Sequence, residues 1–208
     1  MKARRILAVG ALGAWLSSPS FAEDASVSAS AATPKMRVGA QFELLALGSA
    51  TSRIADASMT TDLAVAYGIT ATFDYALTPY LSIGASPRLT FNLIVDPANG
   101  DTADKELDLR AYIRAHYPVA HGLELYASVA PGYAIVLSSK DGTNDATGFA
   151  IGGAAGLAYD LSPKMFVAGE VGYQRAFTST TIEMFSPLVK ADLDVSYLHI
   201  GIGAGTRF

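Results

Sequence analysis

From Met36 onward apolar residues recur at every second position, with small or polar residues in the alternate places. Successive side chains of a strand point to opposite faces, so a period of two predicts half-apolar strands rather than helices. Eight such segments are present. In the first, Met36 to Leu47, residues Met36, Val38, Ala40, Phe42 and Leu44 oppose Arg37, Gly39, Gln41 and Glu43. The second, Leu63 to Ala76, sets Leu63, Val65, Tyr67, Ile69, Phe73 and Tyr75 against Gly68, Thr70, Thr72 and Asp74. In the third, Leu81 to Val95, residues Ile83, Leu89, Phe91 and Leu93 oppose Ser82, Gly84, Ser86, Arg88 and Thr90. The fourth, Leu107 to Tyr117, sets Leu109, Ala111, Ile113 and Tyr117 against Asp108, Arg110, Tyr112, Arg114 and His116.

The remaining segments run Leu123 to Leu137, Phe149 to Asp160, Met165 to Phe177 and Leu193 to Phe208. Their apolar series includes Leu125, Val129, Tyr133, Ile151, Leu157, Tyr159, Val167, Val171 and Tyr173, and their polar series includes Glu124, Tyr126, Glu170 and Gln174. The apolar phase of the eighth changes between Tyr197 and Leu198, which predicts a β-bulge there. Pro87 and Pro131 lie inside the third and fifth segments, where each removes a ladder donor, so local bulges are expected at both.

Tight joins (Leu77 to Pro79, Pro118 to Gly122, Ser162 to Lys164) alternate strictly with long polar ones: Ser49 to Asp62, Asp96 to Glu106, Ser138 to Gly148 and Thr178 to Asp192. The pattern predicts an all-β, antiparallel up-and-down barrel with one compact and one looped end.

Which face lies inside follows from where the aromatics fall. Tyr67, Phe91, Tyr133, Phe149, Tyr173, Phe177 and Tyr197 are placed near the looped end, and Tyr75, Tyr117, Tyr159 and Phe208 near the compact end. Two aromatic bands with aliphatic residues between them suit the two interfaces of a bilayer, whereas a soluble barrel core has no reason to sort aromatics by height. The apolar face is therefore assigned to lipid, and the small-plus-charged face to the lumen. There Arg37, Glu43, Arg88, Asp108, Arg110, Arg114, Glu124, Glu170 and Arg207 are expected to form a mixed-sign network, because an unpartnered charge in that confined interior would be very costly.

The first residues carry a basic start (Lys2, Arg4, Arg5), an apolar run from Ile6 to Leu16 and small residues at Ser20 and Ala22. This is the three-part pattern of a secretory signal peptide spanning residues 1–22, and residues 23–34 read as a flexible periplasmic leader before a barrel domain of residues 35–208. Without residues 1–22, twelve basic residues stand against nineteen acidic ones, a net charge of −7. That balance argues against nucleic acid as a partner. There is no cysteine, so no disulfide supports the fold.

At this point the chain resembles the small eight-stranded outer-membrane barrels of the OmpA and OmpX type. The resemblance rests on the N-terminal pattern, on turn-plus-strand stretches such as FDYALTPYLSIG and AYDLSPKMFVAGEVGYQ, and on the terminal aromatic. It implies a bacterial outer-membrane location with both termini periplasmic and four acidic loops outside. It also implies that Phe208, with Ile200, Ile202 and Ala204, is read by the barrel-assembly machinery during insertion. The other expected partner is outer-membrane lipid or lipopolysaccharide, and a monomer is expected. Some family members append a peptidoglycan-binding domain; since the sequence stops at Phe208, none is expected here.

Chemistry is sparse. The three histidines, His116, His121 and His199, show no telling spacing to a serine and an acid, so no enzyme activity is expected and no cofactor or metal motif is assigned. The loop stretches KDGTND and DPANGDTAD offer oxygen ligands but lack a full calcium-loop pattern. Arg175, on the lipid phase near the outer rim, is a candidate for lipopolysaccharide phosphate or for simple snorkelling. The expected role is structural or surface-interacting, with a narrow channel for small solutes or ions as the alternative.

Overall fold

A computed structural model describes residues 35–93, 103–139, 144–183 and 188–208. The residues assigned to the signal peptide and leader lie outside them. The described chain is antiparallel sheet: β1 (Met36–Ile54), β2 (Ala57–Asp62), β3 (Ala66–Thr78), β4 (Leu81–Phe91), β5 (Lys105–Ala120), β6 (Leu123–Leu137), β7 (Ala146–Ser162), β8 (Met165–Glu183) and β9 (Leu188–Arg207). Strands β3 to β9 pair in sequence order, β1 pairs β3, and β1 also pairs β9. That last pairing closes the barrel, from Arg37 opposite Arg207 up to Ile54 opposite Ala191. Closure leaves no unpaired edge within the wall, as hydrocarbon demands.

Tight turns hold the compact end. Gly122 takes a φ of 72°, and the Ser162 hydroxyl accepts hydrogen bonds from the Lys164 and Met165 amides at 3.3 and 3.1 Å. Both ends of the barrel sequence meet there, since Met36 and Phe208 exchange two backbone hydrogen bonds.

The orientation of the two faces follows the period-two reading. Leu109, Ile151 and Val171 are 52%, 42% and 55% exposed on the outer wall, while Arg110 is 9% exposed in the lumen. The outer aromatics at both ends are likewise exposed, apart from Phe91, which is half-buried, and Tyr197. Tyr197 is buried in the lumen.

The inward turn of Tyr197 explains the apparent change of phase in the last strand. β9 alternates without interruption, with Val195, Tyr197 and His199 inward and Leu198, Ile200 and Ile202 outward, and its register against β8 is unbroken. What changes is the chemistry of the interior. Above the ionic zone, Leu45, Ala50, Ala66, Leu93, Val195 and Tyr197 form an apolar luminal cluster, with Leu63 and Leu193 packed against it. Leu63 and Leu93 therefore face inward, contrary to the alternation assigned to them; Asn92, at a φ of 62°, departs from extended backbone just before Leu93. The expected bulge lies across the ladder on β1, where Leu47 and Gly48 together oppose Tyr197. Gly48 is required at that point because a Cβ there would stand 2.7 Å from the Ser196 carbonyl oxygen.

The prolines produce no bulge. Pro87 pairs Leu109 and Pro131 pairs Ile151 in unbroken register. On the opposite side of each proline, two ladder pairs are missing with no register shift: Thr70 to Arg88 is followed by Phe73 to Ala85, and Arg110 to Gly132 by Ile113 to Val129. A missing N–H thus opens the ladder locally and needs no extra residue.

The join from Ser49 to Asp62 is also not a loop. It continues β1 to Ile54, turns at Ala55 and Asp56, and returns as β2, pairing Ile54 with Ala57 and Ser49 with Asp62. β1, β8 and β9 consequently run 19, 19 and 20 residues, against 11 for β4 and 15 for β6.

Candidate functional site

The lumen is built around Arg88, which projects from β4 and is fully buried. Its Nε donates to Asp108 Oδ2 at 2.9 Å and its Nη1 to Glu43 Oε2 at 3.2 Å, while Nη2 contacts Asp108 and the Tyr197 hydroxyl. Glu106 stands 3.9 Å away. Gln174 reaches in from β8, donating to Asp108 at 2.8 Å and accepting from Arg110 at 3.1 Å. Thr70 on β3 donates to Glu43 at 2.5 Å. Six strands therefore meet across the barrel in one hydrogen-bonded cluster. Room for these long side chains comes from the facing walls, where Ala134, Ala150 and Ala176 are buried side by side.

A second cluster fills the half nearer the tight turns. Arg114 pairs with Asp74 at 3.0 Å and lies 4.6 Å from the ring centroids of both Tyr112 and Tyr126. Arg37 grips Glu124 with two bonds of 2.6 and 2.9 Å, the bidentate geometry suited to guanidinium and carboxylate. Arg207 pairs with Asp160 at 2.6 Å. Between the two clusters Glu170 accepts from the Tyr126 hydroxyl at 2.9 Å.

Glycines set how closely these side chains lie to the wall. Tyr112, Tyr126, Phe166 and His199 pair directly across the ladder with Gly84, Gly156, Gly205 and Gly172. A Cβ on any of the four glycines would come within 2.4–2.6 Å of the partner's ring. Each luminal ring thus lies flat where its neighbour has no side chain.

All nine luminal residues chosen from sequence face inward, but they do not form one network. Arg88, Glu43, Asp108 and Arg110 meet in the central cluster; Arg37, Glu124, Arg114 and Arg207 lie in the half nearer the tight turns; Glu170 sits between. Sequence reasoning placed Glu106 in a loop, whereas it is fully buried on β5. It also overlooked Asp74, Asp160, Gln174 and Tyr197. Asp74 and Gln174 could have been found, since each already stood on the polar series of its segment.

The absence of a serine, histidine and acid grouping needs correction. Ser82 Oγ lies 2.7 Å from His116 Nε2, and His116 Nδ1 lies 2.7 Å from Glu124. Those residues come from three different strands, so their spacing in sequence carries no signal. Ser82 also donates to Asp74 at 3.1 Å and is buried, which makes the row a strut of shared protons rather than an exposed nucleophile with its base. Small hollows of about 30 and about 10 Å³ remain in the lumen, the larger bordered by Arg110, Arg114, Glu170 and His199.

A closed antiparallel barrel with an apolar outer wall and an ionic interior defines a membrane-spanning barrel. The chain belongs to the outer membrane protein beta-barrel domain family, whose model matches residues 17–208. No curated relative matches it. Among solved structures, the outer membrane protein OprG from Pseudomonas aeruginosa is similar at a TM-score of 0.64 and 15% identity, over 85% of this chain and 96% of that one. The outer membrane protein AlkL gives 0.58 and 15% over 90% and 97%, and Neisserial surface protein A gives 0.55 and 13% over 83% and 97%. At such identities the likeness is one of fold. The family match, with that shared fold, places the chain among outer-membrane barrels.

Proposed function

We propose that the protein is a non-conducting scaffold of the outer membrane that carries an extracellular strand extension for surface interaction. The observation that supports this most directly is the Arg88 cluster, a fully buried set of charges joined across the lumen from six strands. An eight-stranded interior is only wide enough to be filled by side chains, and here charge-assisted bonds hold the filling in place. Export through residues 1–22, contact with lipopolysaccharide and insertion guided by Phe208 belong to the same reading.

The rival reading is a narrow channel for small solutes or ions. Planar-bilayer recording separates the two. The wild-type barrel is expected to give no discrete conductance steps, and the Glu43→Gln/Asp108→Asn double variant, which loosens Arg88, is expected to give intermittent ones. Steady steps from the wild type would support the channel.

A further inference from the structure

Glu170 differs from every other luminal carboxylate among the described residues in having no arginine. Asp74, Glu43, Asp108, Glu124 and Asp160 each pair with a guanidinium, and Glu106 has one within 4 Å. His199 Nε2 lies 3.6 Å from Glu170 Oε1. That is too long for a hydrogen bond. The other ring nitrogen, His199 Nδ1, is buried without a hydrogen-bond partner. A 97%-buried imidazole with one nitrogen unpartnered, beside a carboxylate that no guanidinium touches, is an unusual pairing for a packed interior.

The third member is Glu43. It and Glu170 both pair across the ladder with Gly201, one from each side, and one ligand atom from each of Glu43, Glu170 and His199 lies within 4.8 Å of the others. Glycines make this convergence possible. A Cβ on Gly201 would lie 3.3 and 3.4 Å from the Cγ atoms of Glu170 and Glu43, and one on Gly172 would lie 2.5 Å from His199 Nε2. Two ligands on one transition ion stand about 3.0–3.4 Å apart when each bond is about 2.0–2.1 Å, so His199 and Glu170, 3.6 Å apart, need to close by a few tenths of an ångström, and Glu43, within 4.8 Å of them, by up to about 1.5 Å of side-chain movement. Thr70 and Tyr126 already orient the two carboxylates from outside, as the outer partners of metal ligands do.

We infer that Glu43, Glu170 and His199 form a luminal binding site for a first-row transition-metal dication such as zinc. Two carboxylates and one imidazole suit a borderline ion rather than calcium, and the adjoining hollow of about 30 Å³ has room for a water ligand. The ligands come from β8, β9 and β1, so the ion ties together the strands on both sides of the closing seam. This goes beyond the scaffold reading and stands whether or not the lumen conducts.

The test uses the detergent-folded barrel, stripped with a chelator and dialysed against zinc chloride. One zinc per barrel is expected, with X-ray absorption showing one imidazole and oxygen donors. His199→Gln and Glu170→Gln should each bind at least tenfold more weakly, while His121→Asn, which removes an exposed histidine, keeps full uptake. Heat-modifiable gel mobility confirms that each variant is folded; should a luminal variant not fold, the wild-type absorption spectrum decides by itself. No uptake, uptake lost only in His121→Asn, or His199 ring resonances unchanged by zinc would overturn the assignment.

Discussion

Replacing Arg88 by methionine tests the central cluster most sharply. Methionine nearly preserves the length of the side chain but removes the group that binds Asp108 at 2.9 Å and Glu43 at 3.2 Å. Both carboxylates are fully buried, so neither is rescued by solvent. Breaking a buried pair from one side costs about 3–5 kcal/mol, because an uncompensated charge stays behind. That corresponds to roughly two to four orders of magnitude in the folding constant. The assay is urea unfolding of the refolded barrel in detergent, followed by far-ultraviolet circular dichroism because the only tryptophan, Trp15, precedes the barrel. The triple variant Glu43→Gln/Arg88→Met/Asp108→Asn should recover part of the loss, since it removes the stranded charges as well. Arg175→Ala, which breaks the exposed pair with Asp194, should move the midpoint far less. An Arg88→Met barrel that folds and lies within about 1 kcal/mol of wild type would refute the reasoning.

Gly84→Val should destabilise the barrel by about 1–3 kcal/mol and shift the ring resonances of Tyr112, because the new side chain occupies the place where that ring lies; urea titration and NMR check both. Deleting Phe208 removes two backbone hydrogen bonds to Met36 at the seam. It should reduce the yield of barrel in cell outer membranes several-fold while leaving refolding in detergent nearly intact, measured by fractionation and gel mobility; equal losses in both would assign Phe208 to stability alone.

The wall was legible because lipid imposes one rule on every outward position. Leu109, Ile113, Ile151 and Val171 obey it, and a period of two places them without knowledge of neighbours. The interior follows no comparable rule. Val195 and Tyr197 are as apolar as the wall yet face inward, because the lumen changes from ionic to apolar with height. Periodicity alone cannot register that change. Ser49 to Asp62 is polar on both faces, so its hairpin left no alternation to detect, although the register from Ser49 to Ile54 is regular. Ser82, His116 and Glu124 converge through pairings of β4 with β5 and β5 with β6, which only three-dimensional register reveals.

The unequal strand lengths have a consequence at the cell surface. Twenty residues of β9 extend about 65 Å along the strand, or roughly 45 Å of height at a tilt near 45°, where the apolar band of such barrels is about 25 Å tall. β4, with 11 residues, stops close to the band's upper limit. Among the described residues the strand ends are therefore stepped, with β1, β2, β8 and β9 standing above β4. A bulky surface molecule would meet the tall side first and lean across the low one, so its contacts would be directional even though the barrel beneath is nearly round.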